Sequence, residues 1–139
     1  MHLIVDGYEG DAQRLKDVDF IHRFLDEYPT AIGMTKITPP YVYTYVGPTP
    51  QDWGLSGFVL IAESHISVHT FPDRRYLNID VFSCKEFDAD AAVAYLREHF
   101  GIERVRFWVL DRGLEHLSPP EATEALNVQR GQLARTLGG

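Results

Sequence analysis

The chain has 139 residues, of which 45% are hydrophobic and 24% charged, and these are ordinary values for one globular domain with a buried core. A formal net charge of −7 argues against binding to a nucleic-acid backbone, which requires clustered lysine and arginine. The sequence shows no apolar run of membrane-spanning length and no secretory signal, and its single cysteine cannot form an intramolecular disulfide. We therefore expect one cytoplasmic domain over residues 1–139, with neither nucleic acid nor membrane among its partners.

The first half of the chain predicts one strand, one helix and a broken strand. Residues 2–6 are apolar and predict a strand. Apolar residues recur at helical spacing from Asp11 to Tyr28, which predicts a helix that Pro29 ends. Residues 35–46 are rich in β-branched and aromatic side chains and predict two strand pieces, because two prolines interrupt them. A proline- and glycine-rich loop follows.

The second half predicts three successive strands, a helix and a last strand. The strands are expected at residues 56–62, 65–71 and 75–82, the helix at residues 88–100 and the last strand at residues 105–110. Asp88 is placed to cap the start of that helix, and Gly101 is placed to end it. The tail from Ser118 is expected to form a short helix.

This order of elements predicts an α+β fold. Helices near both ends of a largely antiparallel set of strands favour a two-layer α/β sandwich with both helices on one face of the sheet. The other face of the sheet then needs a cover, and a second copy of the chain is the obvious one. We therefore expect a homodimer.

Residues 53–84 concentrate the side chains that could carry chemistry, and a metal site is one interpretation. His65 and His69 share one face of a predicted strand, and Cys84 or Asp80 could join them from its neighbour. On an extended strand, however, those two histidines are about 13 Å apart, which is too far to share one ion. We therefore predict no metal.

Three other interpretations remain open on the residues alone. Ser64 or Ser56 could form a hydrolase triad with a histidine and Asp80, but no G-x-S-x-G elbow frames either serine. The alternating strand could also be half-buried with solvated histidines and no catalytic role. A serine can instead attack the carbonyl of the preceding residue, and elimination and hydrolysis of the resulting ester leave a pyruvoyl group. Such a group forms a Schiff base with a substrate amine and serves as an electron sink for decarboxylation.

The motifs in this stretch favour the last interpretation. Residues 63–73 read E-S-H-I-S-V-H-T-F-P-D and residues 80–84 read D-V-F-S-C, and G-L-S-G precedes them at residues 54–57. Together with Tyr8-Glu9-Gly10, this pattern resembles the processing region of the prokaryotic S-adenosylmethionine decarboxylases, which are pyruvoyl enzymes of polyamine synthesis. The resemblance is specific over about the central quarter of the chain.

The resemblance implies self-cleavage of the Glu63–Ser64 bond. The products would be a chain of residues 1–63 and a chain of residues 64–139, and Ser64 would become the pyruvoyl cofactor. The strand also has to bend at this bond, because Ser64 and His69 would lie on opposite faces of an ideal strand.

Three further residues receive roles from the same resemblance. His69 matches the histidine that moves protons during cleavage, and Ser56 matches the serine that supports the cleavage intermediate. Cys84 matches the acid that reprotonates the substrate α-carbon after carbon dioxide leaves, and a thiol is a usable acid near neutral pH. The implied assembly is a homodimer of cleaved protomers with active sites near the subunit interface.

The sequence departs from the family pattern where the substrate would be recognised. Phe71 replaces the usual tryptophan, Asp73 the usual glutamate and Lys85 the usual glycine. Tyr8, Glu9, Phe71 and Asp73 are the candidate substrate-binding residues, since aromatic faces can hold adenine or a sulfonium and carboxylates attract a cation.

The substrate is therefore expected to be a small-molecule amine, with S-adenosylmethionine first. The same acidic and aromatic side chains would also suit arginine or ornithine. A homologue that no longer cleaves itself and serves as a binding or regulatory partner is the alternative of another class.

Overall fold

A single antiparallel sheet organises the computed structural model, which describes residues 1–112, 127–128 and 130–133. The strands run in the order β2-β3-β4-β5-β1-β6 across the sheet. They are β1 (His2–Tyr8), β2 (Tyr41–Tyr45), β3 (Gly54–Ile61), β4 (Ser64–Phe71), β5 (Tyr76–Ser83) and β6 (Arg104–Leu110). The helices are α1 (Ala12–Leu15), α2 (Val18–Ala31) and α3 (Ala89–Phe100).

Alternation along the strands gives the sheet one buried face. Every second residue of β1 and β5 is buried, as expected of strands whose side chains point alternately to two faces. The buried residues pack with α2 and α3 in one core, whose largest members include Phe24, Tyr28 and Phe100. The predicted two-layer α+β sandwich with helices on one face is therefore confirmed. We call the opposite side of the sheet the open face.

The segment predicted as one helix from Asp11 to Tyr28 is two helices. The Asp17 carboxylate accepts hydrogen bonds from the amides of Asp19 and Phe20, so it caps the start of α2 and separates it from α1.

The prediction that Pro29 ends the first helix was wrong. Pro29 lies inside α2, which continues to Ala31. Proline in the last turn removes only one helical hydrogen bond, and the Ile32 amide still donates to the Tyr28 carbonyl to close that turn. The predicted limits of α3 are confirmed, with the Asp88 side chain at its start and Gly101 at φ 63° at its end.

Residues 35–46 form one strand and not two. The second piece is β2, whereas the first makes only an isolated bridge between Lys36 and Ile61. The tail helix predicted from Ser118 falls largely outside the described residues, although residues 127–128 and 130–133 are helical. Within the described part of the chain, no helix has both the length and the apolarity to cross a membrane.

The surroundings of His99, at the end of α3, lower its pKa. Its ring stacks on Phe20 at 4.6 Å and on Tyr95 at 5.4 Å, between centroids. Its Nε2 atom is buried without a hydrogen-bond partner among the described residues. Burial lowers the pKa of His99, and the positive charge of Arg14 lowers it further. The folded protein therefore holds this ring neutral at a pH where the unfolded chain would protonate it.

We expect this ring to make stability depend on pH. Because the folded state binds the proton less readily, the free energy of unfolding should fall as pH drops through 6.5 toward the lowered folded pKa of His99. Urea unfolding midpoints at pH 7.5 and 5.5 measure the effect. His99→Phe keeps the stacking but cannot be protonated, so it should lose less stability than the wild type between these two pH values. An equal loss in both proteins would contradict the assignment.

Candidate active site

The bond between Glu63 and Ser64 lies at a strained turn. Ala62 and Glu63 form the tight connection between β3 and β4, so the bend that the family resemblance requires is present. Ser64 has a φ of 155°, a positive value that residues with a side chain rarely adopt. Such a conformation costs on the order of 1–3 kcal/mol and persists only where the surroundings enforce it.

Hydrogen bonds from two directions hold Glu63 in this turn. Its carbonyl oxygen accepts from the Cys84 amide at 2.9 Å, and its carboxylate accepts from the Thr35 amide at 3.1 Å. The Thr35 carbonyl in turn accepts from the Ala62 amide at 2.8 Å. The Glu63–Ser64 peptide is therefore fixed between the segment after α2 and the end of β5.

Cys84 is exposed and directly follows β5, so the register of β4 on β5 brings it beside this peptide. The preceding residue, Ser83, is buried and paired on its far side with the backbone of Met1. Lys85, one of the departures from the family pattern, donates from Nζ to the Gly33 carbonyl at 2.8 Å. The hydrogen bonds of Ser83 to Met1 and of Lys85 to Gly33 thus fix the residues on both sides of Cys84.

Ser56 and His69 form a second group. They are register partners on β3 and β4, and the Ser56 hydroxyl lies 2.8 Å from His69 Nδ1. Two glycines flank Ser56 because a side chain would collide at both positions. A Cβ on Gly54 would lie 1.7 Å from the Thr70 carbonyl oxygen, and one on Gly57 would lie 2.8 Å from a methyl of Leu25. The G-L-S-G motif therefore reflects close packing of β3.

The structure does not bring these two groups together within one chain. His69 lies five residues after Ser64 on the extended strand β4, which corresponds to about 16 Å. By register, Ser64 pairs with Ile61 and Ser83, which are buried on the helix side. His69 instead lies in the row that includes Ser56 on the open face.

The predicted substrate-binding aromatics lie at the other end of the sheet from Ser64. Tyr76, at the start of β5, packs against Phe71 at 5.7 Å and against Tyr8 at 5.2 Å between ring centroids. The Arg104 guanidinium lies over the Tyr8 ring at 4.2 Å. Sequence reasoning missed Tyr76 and Arg104. Tyr76 alternates with buried residues in a strand that follows Phe71 after a tight turn. This pattern could have indicated Tyr76.

The two predicted carboxylates of this end differ in their surroundings. Glu9 is exposed and follows Tyr8 with a φ of 58°. Asp73 lies in a short 3-10 turn after Phe71, and its carboxylate accepts a hydrogen bond from the Trp53 indole at 3.0 Å. The structure therefore brings Tyr8, Glu9 and Phe71 to one end of the sheet, with Asp73 in the adjoining turn.

The described residues do not assemble the hydrolase triad considered around Asp80. His69 faces Asn78 across β4 and β5, whereas Asp80 pairs with Ser67 in the register and lies 3.2 Å from His2 Nε2. Among the described residues, no group of three or more histidine, cysteine, aspartate or glutamate side chains is arranged to hold a metal ion.

Comparisons with known proteins identify the family. The family model described as S-adenosylmethionine decarboxylase matches residues 1–113. An S-adenosylmethionine decarboxylase proenzyme of Clostridium botulinum (strain Langeland) is 34% identical over 81% of this chain and 92% of its own length. A proenzyme of the same name from Acidithiobacillus ferrooxidans is 33% identical over 80% of each chain. The crystal structure of the adenosylmethionine decarboxylase from Aquifex aeolicus matches with a TM-score of 0.67 and 31% identity, over 81% of this chain and 88% of that one. The chain belongs to the S-adenosylmethionine decarboxylase family.

Proposed function

We propose that this chain is a self-processing, pyruvoyl-dependent decarboxylase that acts on S-adenosylmethionine. The observation that carries the proposal is the geometry of the Glu63–Ser64 peptide, which combines a positive φ at Ser64 with a carbonyl held by the Cys84 amide. A strained peptide with a polarised carbonyl is what attack by the adjacent hydroxyl requires. The substrate is the one named for the relatives from Clostridium and Acidithiobacillus.

In the first step, the Ser64 hydroxyl oxygen attacks the Glu63 carbonyl carbon. The C–N bond breaks as the C–O bond forms, so an ester replaces the peptide and the strain at Ser64 is released. The negative charge that develops on the Glu63 carbonyl oxygen lies 2.9 Å from the Cys84 amide nitrogen, which serves as an oxyanion donor.

Elimination then separates the chain into residues 1–63 and 64–139. The ester leaves as the new carboxylate of Glu63, and a base removes the α-proton of residue 64. Addition of water to the resulting dehydroalanine and loss of ammonia produce the pyruvoyl group. His69 is the proposed proton carrier, and its contact with Ser56 at 2.8 Å orients the imidazole for that role.

The residues around Ser64 fit such a group, because Ser64 is partly exposed and the exposed Cys84 is bound through its amide to the adjacent Glu63 carbonyl. The bound group would supply an electron sink for the electrons released with carbon dioxide. Cys84 holds the proton that the substrate α-carbon then requires. Tyr8 and Phe71 supply aromatic faces for the adenine or the sulfonium, and Glu9 and Asp73 supply negative charge.

The proposed assembly is a homodimer in which each active site draws on both chains. A two-fold axis that crosses β4 at right angles, between Ser64 and His69, would bring the Glu63–Ser64 turn of one protomer opposite His69 of the partner subunit. The open face supports such packing, since it exposes large apolar and aromatic side chains, including Phe58, Leu60, Tyr41 and Tyr43. The same rotation brings the aromatic end of one sheet over the Ser64 end of the other.

The intact mass of the denatured protein tests self-cleavage. We expect two chains that divide at the Glu63–Ser64 bond, with the chain of residues 64–139 blocked at its new terminus. Ser64→Ala removes the nucleophile and should leave one uncut chain. Cleavage at this bond in Ser64→Ala would overturn the mechanism. A wild-type chain that stays whole would favour a non-processing binding homologue.

Carbon dioxide release from S-adenosylmethionine, arginine and ornithine tests the identity of the substrate.

The variant Cys84→Ala tests the role of the Cys84 thiol as the general acid. This variant keeps the backbone amide that holds the Glu63 carbonyl, so it should still cleave itself. Its kcat should fall by about 100-fold or more, as expected when a general acid is lost. An unchanged kcat would remove the Cys84 thiol from the mechanism.

Complementation tests the shared active site. Ser64→Ala and His69→Ala chains should each remain uncut when expressed alone. In a mixed dimer one site combines the intact Ser64 of the second chain with the intact His69 of the first, so the His69→Ala chain should be cleaved when both are expressed together. If both variant chains stay uncut when they are expressed together, each active site is built within one chain.

A further inference from the structure

A strained arginine lies next to the substrate-binding end of the sheet. Arg75 connects the 3-10 turn after Phe71 to β5, and it adopts the left-handed conformation with a φ of 50°. Glycine is the residue that takes this conformation without penalty, so an arginine here reduces stability unless its side chain contributes something in return.

The side chain of Arg75 binds the turn that follows Tyr8. Its Nε donates to the Gly10 carbonyl at 2.8 Å and its Nη2 donates to the Glu9 carbonyl at 3.2 Å. The backbone adds a third bond, from the Gly10 amide to the Arg75 carbonyl at 3.0 Å. One guanidinium thus holds two consecutive carbonyls in a fixed fork, which a flexible lysine ammonium could not reproduce.

This fork holds a second strained residue in place. Glu9 is also left-handed, with a φ of 58°, and it is not a glycine either. The direction of the Tyr8 ring and the Glu9 carboxylate depends on that backbone turn, because the two residues lie on either side of the point where β1 ends. Strain of this kind persists only where neighbouring contacts enforce it, and the Arg75 fork supplies such contacts.

We propose that Arg75 is a positioning residue for substrate recognition, which fixes the Tyr8–Glu9 turn that contacts the substrate. The proposal rests on the proposed function, which names the substrate that this turn would recognise. It assigns Arg75 no part in self-cleavage, because Arg75 and Ser64 lie at opposite ends of β4 and β5 within one chain and the guanidinium is bound to the Gly10 and Glu9 carbonyls.

Two substitutions separate the role of the side chain from the strain. Arg75→Ala and Arg75→Gly both remove the fork, but only glycine relieves the left-handed backbone. Arg75→Gly should therefore melt about 3 °C higher than Arg75→Ala. Both variants should raise KM for S-adenosylmethionine about tenfold, because the turn proposed to bind the substrate loses the two charged hydrogen bonds that position it, with kcat and the extent of self-cleavage unchanged.

Arg74→Ala is the matched control. Arg74 is the adjacent arginine, is exposed and forms an ion pair with Asp52 at 2.8 Å. Its loss should leave KM unchanged. If the KM of both Arg75 variants equals that of the wild type, or if KM rises only in the less stable variant, the positioning role is refuted.

Hydrogen exchange gives a second measurement that does not need an active enzyme. The Gly10 amide should exchange faster in both Arg75 variants than in the wild type and in Arg74→Ala. Unchanged exchange at Gly10 would refute the fork. A wild type that releases no carbon dioxide from S-adenosylmethionine would instead refute the proposed function, and the exchange result would still decide whether Arg75 holds the turn.

Discussion

The hydrogen bond from the Cys84 amide to the Glu63 carbonyl is the contact on which the candidate site depends. It forms because β4 pairs with β5 from its first residue, so the start of one strand meets the end of the other. This bond fixes the carbonyl that Ser64 would attack and places Cys84 next to the Glu63–Ser64 peptide. The carboxylate of Glu63, bound to the Thr35 amide, prevents the turn from relaxing its backbone by rotation. The regular pairing of β4 with β5 therefore supports the strained Glu63–Ser64 peptide at its end.

Strand geometry also explains why a domain of this size would need a second copy. A residue five positions along an extended strand cannot reach the first, and the Ser56–His69 pair lies that far from Ser64. No change of rotamer closes a gap of about 16 Å. The proposed two-fold axis across β4 would do so without altering either chain, and it would cover the apolar side chains of the open face at the same time. The same two-fold axis would explain both the distance between Ser64 and His69 within one chain and the exposed apolar side chains of the open face.

Local chemistry made much of the fold predictable from the sequence. Alternation in β5, the Asp88 cap and Gly101 after α3 each have one strong structural meaning, and each was confirmed. Pro29 was misread because a proline in the last turn leaves the bond from the Ile32 amide to the Tyr28 carbonyl intact. Residues 35–40 were misread because their only described β-bridge to the sheet is the long-range bridge of Lys36 to Ile61. The motif predicted candidate residues for the chemistry, namely Ser64, His69, Cys84 and Ser56. It could not predict that Ser56 and His69 lie far from Ser64 in one chain, because that separation follows from the register of β3 on β4.

In the described part of the chain, the non-glycine residues with positive φ lie at the two ends of the sheet, at Ser64 on one side and at Glu9 and Arg75 on the other. In the proposed mechanism, the strain at Ser64 would serve one reaction and be released when the peptide breaks. The strain at Glu9 and Arg75 is retained, because no bond there is broken and Arg75 is hydrogen-bonded to the Glu9 carbonyl and to Gly10. In a dimer related by an axis across β4, these two kinds of strain meet at the same site. One of them would prepare the proposed cofactor, and the other would fix the residues proposed to recognise the substrate.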